Sequence, residues 1–349
     1  MPRAHRKQAA VTPPPCAVFR WDLDKTYLKS EFESVRDLMR IPFEKPEDKV
    51  DAPGVVALIR QLRAVATTAG REVRVYFLSA SPPQIGKAIK EKLALDGIEY
   101  EGIVFKNQLQ HLVRGKFRNL REHIGYKLGA LLRGRAEVPP DAREFLFGDD
   151  WESDPLIYSL YADLVAGRVD QDELRDVLQT IPVDPQQVDQ VVTRLGEIEP
   201  VDAVVRIYIN LERRTPPANF RAYGPRLVPT FNYFQTAACL FDDGALTLPA
   251  VAKVAESLID RSGYTPERLA NSLADVIRRG HVSEPSSIAL RHYLVAQNLL
   301  PRARLARRRR ESWWKQLLGW LRPSSEPPLP IEPLRLDYRQ LVTDLRAAR

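Results

Sequence analysis

The apolar positions of this chain fall into short runs separated by helical periodicity, and their alternation sets the first expectation. Residues 16–23 are almost continuously apolar and end at two aspartates, the pattern of a buried strand. VRVYFL at 73–78, IVF at 103–105, EFLF at 144–147 and VVRIYINL at 204–211 read as further strands. Between them, residues from Pro53 to about Ala66 place Val55, Val56, Leu58, Ile59 and Leu62 on one helical face. A second helix is expected from near Gln84, and a third from about Leu120 to Leu132. Strand and helix in alternation predict an α/β domain with a mostly parallel, Rossmann-like sheet. Two further helices are expected over 170–200, the second starting at Asp184-Pro185 with aspartate as N-cap and proline in the first turn. After TPP at 215–217, residues 230–300 carry helical periodicity, so an all-helical region is expected over 216–300. A Pro-rich stretch from Pro323 leads to a last helix-like segment over 334–348.

Composition adds limits. The 349 residues are 44% hydrophobic and 28% charged, which is globular rather than disordered. No apolar run approaches the roughly 20 residues that span a bilayer. MPRAHRKQAAVTPPP is basic without an apolar core, so 1–15 is expected to be a flexible leader rather than a secretory signal. Two cysteines, Cys16 and Cys239, give neither a disulfide framework nor a zinc spacing, and a reducing cytoplasm is the expected compartment.

The net charge of +7 becomes informative once it is located. Residues 302–322 hold eight basic side chains against the single acid Glu311, a surplus that equals the charge of the whole chain. The rest is a neutral body. ARRRRESWWKQLLGWLR sets Arg307, Arg308, Arg309 and Arg310 beside Trp313, Trp314 and Trp320, with the apolar residues on one broad helical face. Such a helix suits the headgroup layer of an anionic membrane, here the inner membrane face, or docking to a partner protein. Nothing in the sequence resembles a base-reading nucleic-acid module.

Four separated pieces converge on one chemistry. Asp22 and Asp24 are two apart at a strand end, so both carboxylates project to one side. One could attack phosphorus while the other protonates the leaving oxygen and later activates water. Ser79 ends the second strand with a hydroxyl, and Lys127 places a cation on the third helix. Gly148-Asp149-Asp150, followed by Asp154, ends another strand. Together these carboxylates would form an oxygen-only site suited to Mg²⁺. Each piece alone has a plain structural reading: a turn, a backbone-bonded hydroxyl, or a solvated lysine.

FRWDLDKT resembles motif I of the haloacid dehalogenase-like phosphatases, FLSAS their motif II, Lys127 their motif III and GDDWESD their motif IV. APGVVALIRQL, SASP and SDPLIY are similar to the actin-patch phosphatidate phosphatase branch, over about residues 16–165. The resemblance implies a haloacid dehalogenase-like domain over 16–215, interrupted by the helices at 170–200. It implies Asp22 as the nucleophile that forms an aspartyl-phosphate. Asp24 becomes the general acid/base, with its backbone carbonyl on Mg²⁺, and Thr26 supports the motif I loop. Ser79, rather than Ser81, holds the phosphoryl group, and Lys127 holds nucleophile and phosphate. Asp149 and Asp154 serve the metal, with Asp150 as an optional ligand. The expected activity is that of a phosphomonoester phosphatase acting on phosphatidate or another membrane phospholipid. The alternatives are a phosphoprotein or polynucleotide-end phosphatase, and an idle scaffold on the same fold. The basic residue expected after the last strand is replaced by Asn210-Leu211-Glu212, and residues from 216 onward match no part of the branch.

Overall fold

The computed structural model describes residues 16–24, 26–27, 51–79, 86–105, 116–151, 153–181, 183–302 and 335–347. Ser81, the 1–15 leader, and the arginine and tryptophan residues of the 303–334 segment lie outside them.

Six strands form one sheet: β1 (Ala17–Asp22), β2 (Val73–Ser79), β3 (Gly102–Phe105), β4 (Arg143–Asp149), β5 (Val204–Asn210) and β6 (Leu227–Thr230). Their order is β3-β2-β1-β4-β5-β6, and every neighbouring pair is parallel. The winding reverses between β1 and β4, the switch point at which open parallel sheets bind ligands. Helices α1 (Val55–Thr68), α2 (Gly86–Leu95), α3 (Lys116–Ala136), α4 (Asp154–Val165), α5 (Gln171–Thr180) and α6 (Pro185–Leu195) lie between the strands. A 3₁₀ turn (Pro217–Tyr223), α7 (Tyr233–Asp242), α8 (Leu248–Ser262), α9 (Pro266–Arg278), α10 (Glu284–Ala296) and α11 (Tyr338–Ala347) complete the described elements.

The strands expected from the apolar runs are present. Asp184 caps α6 as expected, accepting from the Gln186 and Gln187 amides at 2.9 and 3.3 Å. The structure differs at β6: a region expected to be wholly helical opens with a strand paired to β5. LVPT is too short to show alternation, and Pro229 argues against a strand in sequence. Proline is tolerated there because β6 is the last strand in the order and needs only one partner.

Both sheet faces are covered, as a parallel sheet requires. The period-2 rule sorts the side chains: Phe145 and Phe147 enter one hydrophobic cluster and Leu146 the other. The first cluster joins Phe19, Trp21, Tyr208 and Val228 to α1 and to helices α7–α10. The second joins Leu146, Ile207 and Ile209 to α3–α6 and α11. The C-terminal helices are therefore one layer of the sandwich, since without them Phe147, Tyr208 and Val228 would meet water. Gly54, at φ 86°, begins α1 in the left-handed region and lies against Leu258 of α8, so the two helices pack closely. On the opposite face Arg20, Arg135 and Tyr161 converge on buried Glu144, at 2.7, 3.2 and 2.9 Å. There burial opposes ionisation, but the two guanidinium groups prevail and hold the Glu144 carboxyl below the usual carboxylate range.

Candidate active site

Strand register builds the site. β1 and β4 are neighbours, and both end in aspartate at the same rim, Asp22 and Asp149. Beyond this rim α4 begins at Asp154, whose carboxylate lies in the first turn, where the helix dipole favours negative charge. Gly148 permits the approach: a Cβ there would stand 2.6 Å from the Asp154 Cβ and 2.8 Å from the Tyr158 ring. Asp22, Asp149 and Asp154 are each fully buried. Each offers a carboxylate oxygen within 4.8 Å of the others.

Lys127 is not a solvated helix lysine. It is fully buried and reaches from α3 into the acid cluster, with its Nζ 2.8 Å from Asp22 Oδ1 and 2.6 Å from Asp154 Oδ1. Among these four groups three buried carboxylates surround one ammonium, an excess of negative charge that a divalent cation would offset. The donor set is oxygen only, the choice of hard cations such as Mg²⁺. These residues thus fit the metal that the sequence suggests, with Asp22, Asp149 and Asp154 as its holders.

Asp24 stands apart from the three. It is half-buried, and its Oδ2 accepts from the Ser79 hydroxyl at 2.9 Å. Ser79 is itself fixed, since the Tyr126 hydroxyl donates to its carbonyl at 3.1 Å and to that of Val104 at 3.0 Å. Thr26 is buried, with its hydroxyl 3.5 Å from Asp149 Oδ2, the outer limit of a hydrogen bond. Asp150 is placed differently from a metal ligand: its carboxylate accepts from the Arg213 and Thr215 amides at 2.9 and 3.1 Å. It ties down the loop after β5 and is not among the three clustered acids.

Sequence reasoning missed Tyr233. Its hydroxyl, at the start of α7, donates to the Thr26 carbonyl at 2.6 Å across 207 positions of chain. Its ring lies 6.0 Å from Trp21, which stacks on Phe147 at 3.7 Å. The DxDxT stretch carries no trace of a partner so distant; only the tertiary fold reveals it. Burial drives the Tyr233 hydroxyl well above its ordinary pKa, so it acts as a fixed donor.

Fold and site together define an α/β protein with a charge-dense, oxygen-lined centre at the switch point of its sheet. Residues 21–176 match the family model described as "Phosphatidate phosphatase APP1, catalytic domain", a haloacid dehalogenase-like family. The resemblance read from the sequence is thereby borne out over this stretch, and the match points to a phosphatase hydrolase. No curated protein matches the chain. Among solved structures, a chain in "Structure of Pnkp1/Rnl/Hen1 complex" aligns at 17% identity over 43% of this chain and 46% of its own length. Its TM-score of 0.27 is too low to bear on fold or function. Among the described residues, no helix is long and apolar enough to cross a membrane.

Proposed function

We propose that this protein is a Mg²⁺-dependent phosphomonoester phosphatase that works through a phosphoryl group carried on Asp22. The observation that carries this reading is the buried cluster of Asp22, Asp149 and Asp154, with Lys127 bridging Asp22 and Asp154. A bound Mg²⁺ would be held by these carboxylates and would supply charge neutralisation for the phosphoryl oxygens.

Lys127 fixes the Asp22 carboxylate by its 2.8 Å contact. Asp22 Oδ attacks phosphorus, forming an O–P bond as the ester P–O bond breaks. The proton of the Asp24 carboxyl passes to the leaving oxygen. Asp24 suits this task because it is more exposed than the other acids and can exchange its proton. In the second half the Asp24 carboxylate takes a proton from a water that attacks phosphorus. The Asp22–phosphoryl bond then breaks, and inorganic phosphate leaves with Asp24 protonated again. Ser79, held by Tyr126 and bonded to Asp24, orients that carboxyl and would donate to a phosphoryl oxygen.

The substrate we assign is a membrane phospholipid bearing a phosphomonoester, supported by the family that residues 21–176 match. The basic, tryptophan-containing segment 302–322 would bring the enzyme to an anionic bilayer. The test is hydrolysis of an aryl phosphate and of micellar phosphatidate, with and without Mg²⁺, by wild type and Asp22→Asn. Turnover that needs Mg²⁺ and vanishes in the variant supports the reading. A folded wild type inert across divalent metals would favour a scaffold role.

A further inference from the structure

We propose that the cleft beyond β5 and β6 holds the leaving group, and that it selects phosphomonoesters whose leaving group is polar and carries a second anionic group. This deepens the phosphatase reading above and rests on it. The cleft has a volume of about 400 Å³, within the usual range of small-molecule sites. Its floor touches the catalytic rim at two points. Asn210 ends β5 in register with Asp149. Tyr233 lines the cleft and holds the Thr26 carbonyl. A phosphoryl group at Asp22 would therefore direct its ester oxygen toward a neighbouring, already formed pocket.

The chemistry of the walls comes mostly from residues with no counterpart in the family resemblance. Asn232, Gln235 and Ser272 are bonded to one another, Asn232 Nδ2 donating to the Ser272 hydroxyl and Gln235 Nε2 to the Ser272 carbonyl, each at 2.8 Å, so the wall groups open to solvent are those of Glu212, Arg214 and Arg268. An acyl chain in this space would strip water from these groups without replacing their hydrogen bonds, which is unfavourable. A hydroxylated or ionic group replaces them.

Charge narrows the class further. Arg214, from the loop after β5, and Arg268, from α9, both line the cleft. Neither forms an ion pair among the described residues, whereas nearby Arg278 and Arg279 both pair with Asp275 at 2.6 and 2.9 Å. The Arg268 guanidinium carbon lies 3.8 Å from the Tyr264 ring centroid, which steadies it without consuming its charge. Two acids also line the cleft. Asp275 is compensated by its arginines and by Gln235, at 3.1 Å. Glu212 is exposed, as Arg214 and Arg268 are, so solvent screens all three alike and the two arginines leave a surplus of one positive charge. Guanidinium forks that line a polar cleft bind phosphodiester or carboxylate oxygens. Among phospholipids this points to headgroups with a second anion beside the phosphomonoester.

The test compares kcat/KM for phenyl phosphate, glycerol phosphate, phosphoglycerate and lysophosphatidate, in wild type and in Arg214→Ala/Arg268→Ala. In wild type, phosphoglycerate should exceed glycerol phosphate by about tenfold or more, the effect of one charge-assisted hydrogen bond. In the double variant that ratio should fall toward one, mainly through KM. An unchanged ratio, an equal loss on every substrate, or a wild-type preference for lysophosphatidate over phosphoglycerate overturns the inference. Lack of phenyl phosphate turnover by folded wild type overturns the phosphatase reading instead.

Discussion

Lys127 offers the sharpest quantitative test of the site. Its ammonium is fully buried between Asp22 and Asp154, at 2.8 and 2.6 Å. Lys127→Met keeps most of the volume but leaves two buried carboxylates without this cation. Removing one partner of a buried ion pair costs about 3–5 kcal/mol, because the charge left behind remains desolvated. That is a large share of the roughly 5–15 kcal/mol that stabilises a typical domain. Urea unfolding in excess chelator, which removes any compensating cation, is the assay. A cycle with Asp154→Asn isolates the contact: the double variant should cost about 1–3 kcal/mol less than the sum of the single losses. If Lys127→Met costs less than about 0.5 kcal/mol, as an exposed helix lysine would, the buried bridge is wrong.

Other outcomes follow from the same contacts. Gly148→Ala should destabilise by about 1–3 kcal/mol through crowding against Asp154 and Tyr158, and should weaken Mg²⁺ binding measured by calorimetry. Tyr233→Phe should lower stability by about 1 kcal/mol and cut kcat more than KM, since the Thr26 carbonyl loses its donor; unchanged kcat would separate α7 from the site. His281 is lowered to about 4 by burial, then by Arg279 and Arg206, so it stays neutral in the fold while the unfolded chain titrates near 6.5. Its contribution is complete above about pH 6.5 and is lost as pH falls toward 4. His281→Gln should flatten the stability profile in that window, read from urea melts at several pH values.

Much of the sheet was legible because buried parallel strands are written as dense apolar runs ending at polar residues. Asp22 and Asp149 announce strand ends in the sequence, and strand pairing brings them together as expected. The capping signal at Asp184 was equally local and equally readable. β6 was not, because four residues with a proline lack a period. Lys127 was recognised by its place in a motif, but its complete burial depends on α3 packing beneath the rim, which no local pattern specifies. The role of α7–α10 as a layer of the sandwich was hidden for the same reason. Their periodicity shows an apolar face, not that the face covers Phe147 and Tyr208. The Tyr233–Thr26 contact depends on that docking and had no sequence signal.

The central claim is that Asp22 attacks phosphorus and carries the phosphoryl group. The most direct measurement traps it: Asp24→Asn slows release, so the variant is mixed with an aryl phosphate and Mg²⁺, quenched in acid and mapped by peptide mass spectrometry. A phosphoryl group on the peptide containing Asp22, absent in Asp22→Asn, is the predicted result. A phosphoryl group on another residue, or full hydrolysis by Asp22→Asn, would contradict it.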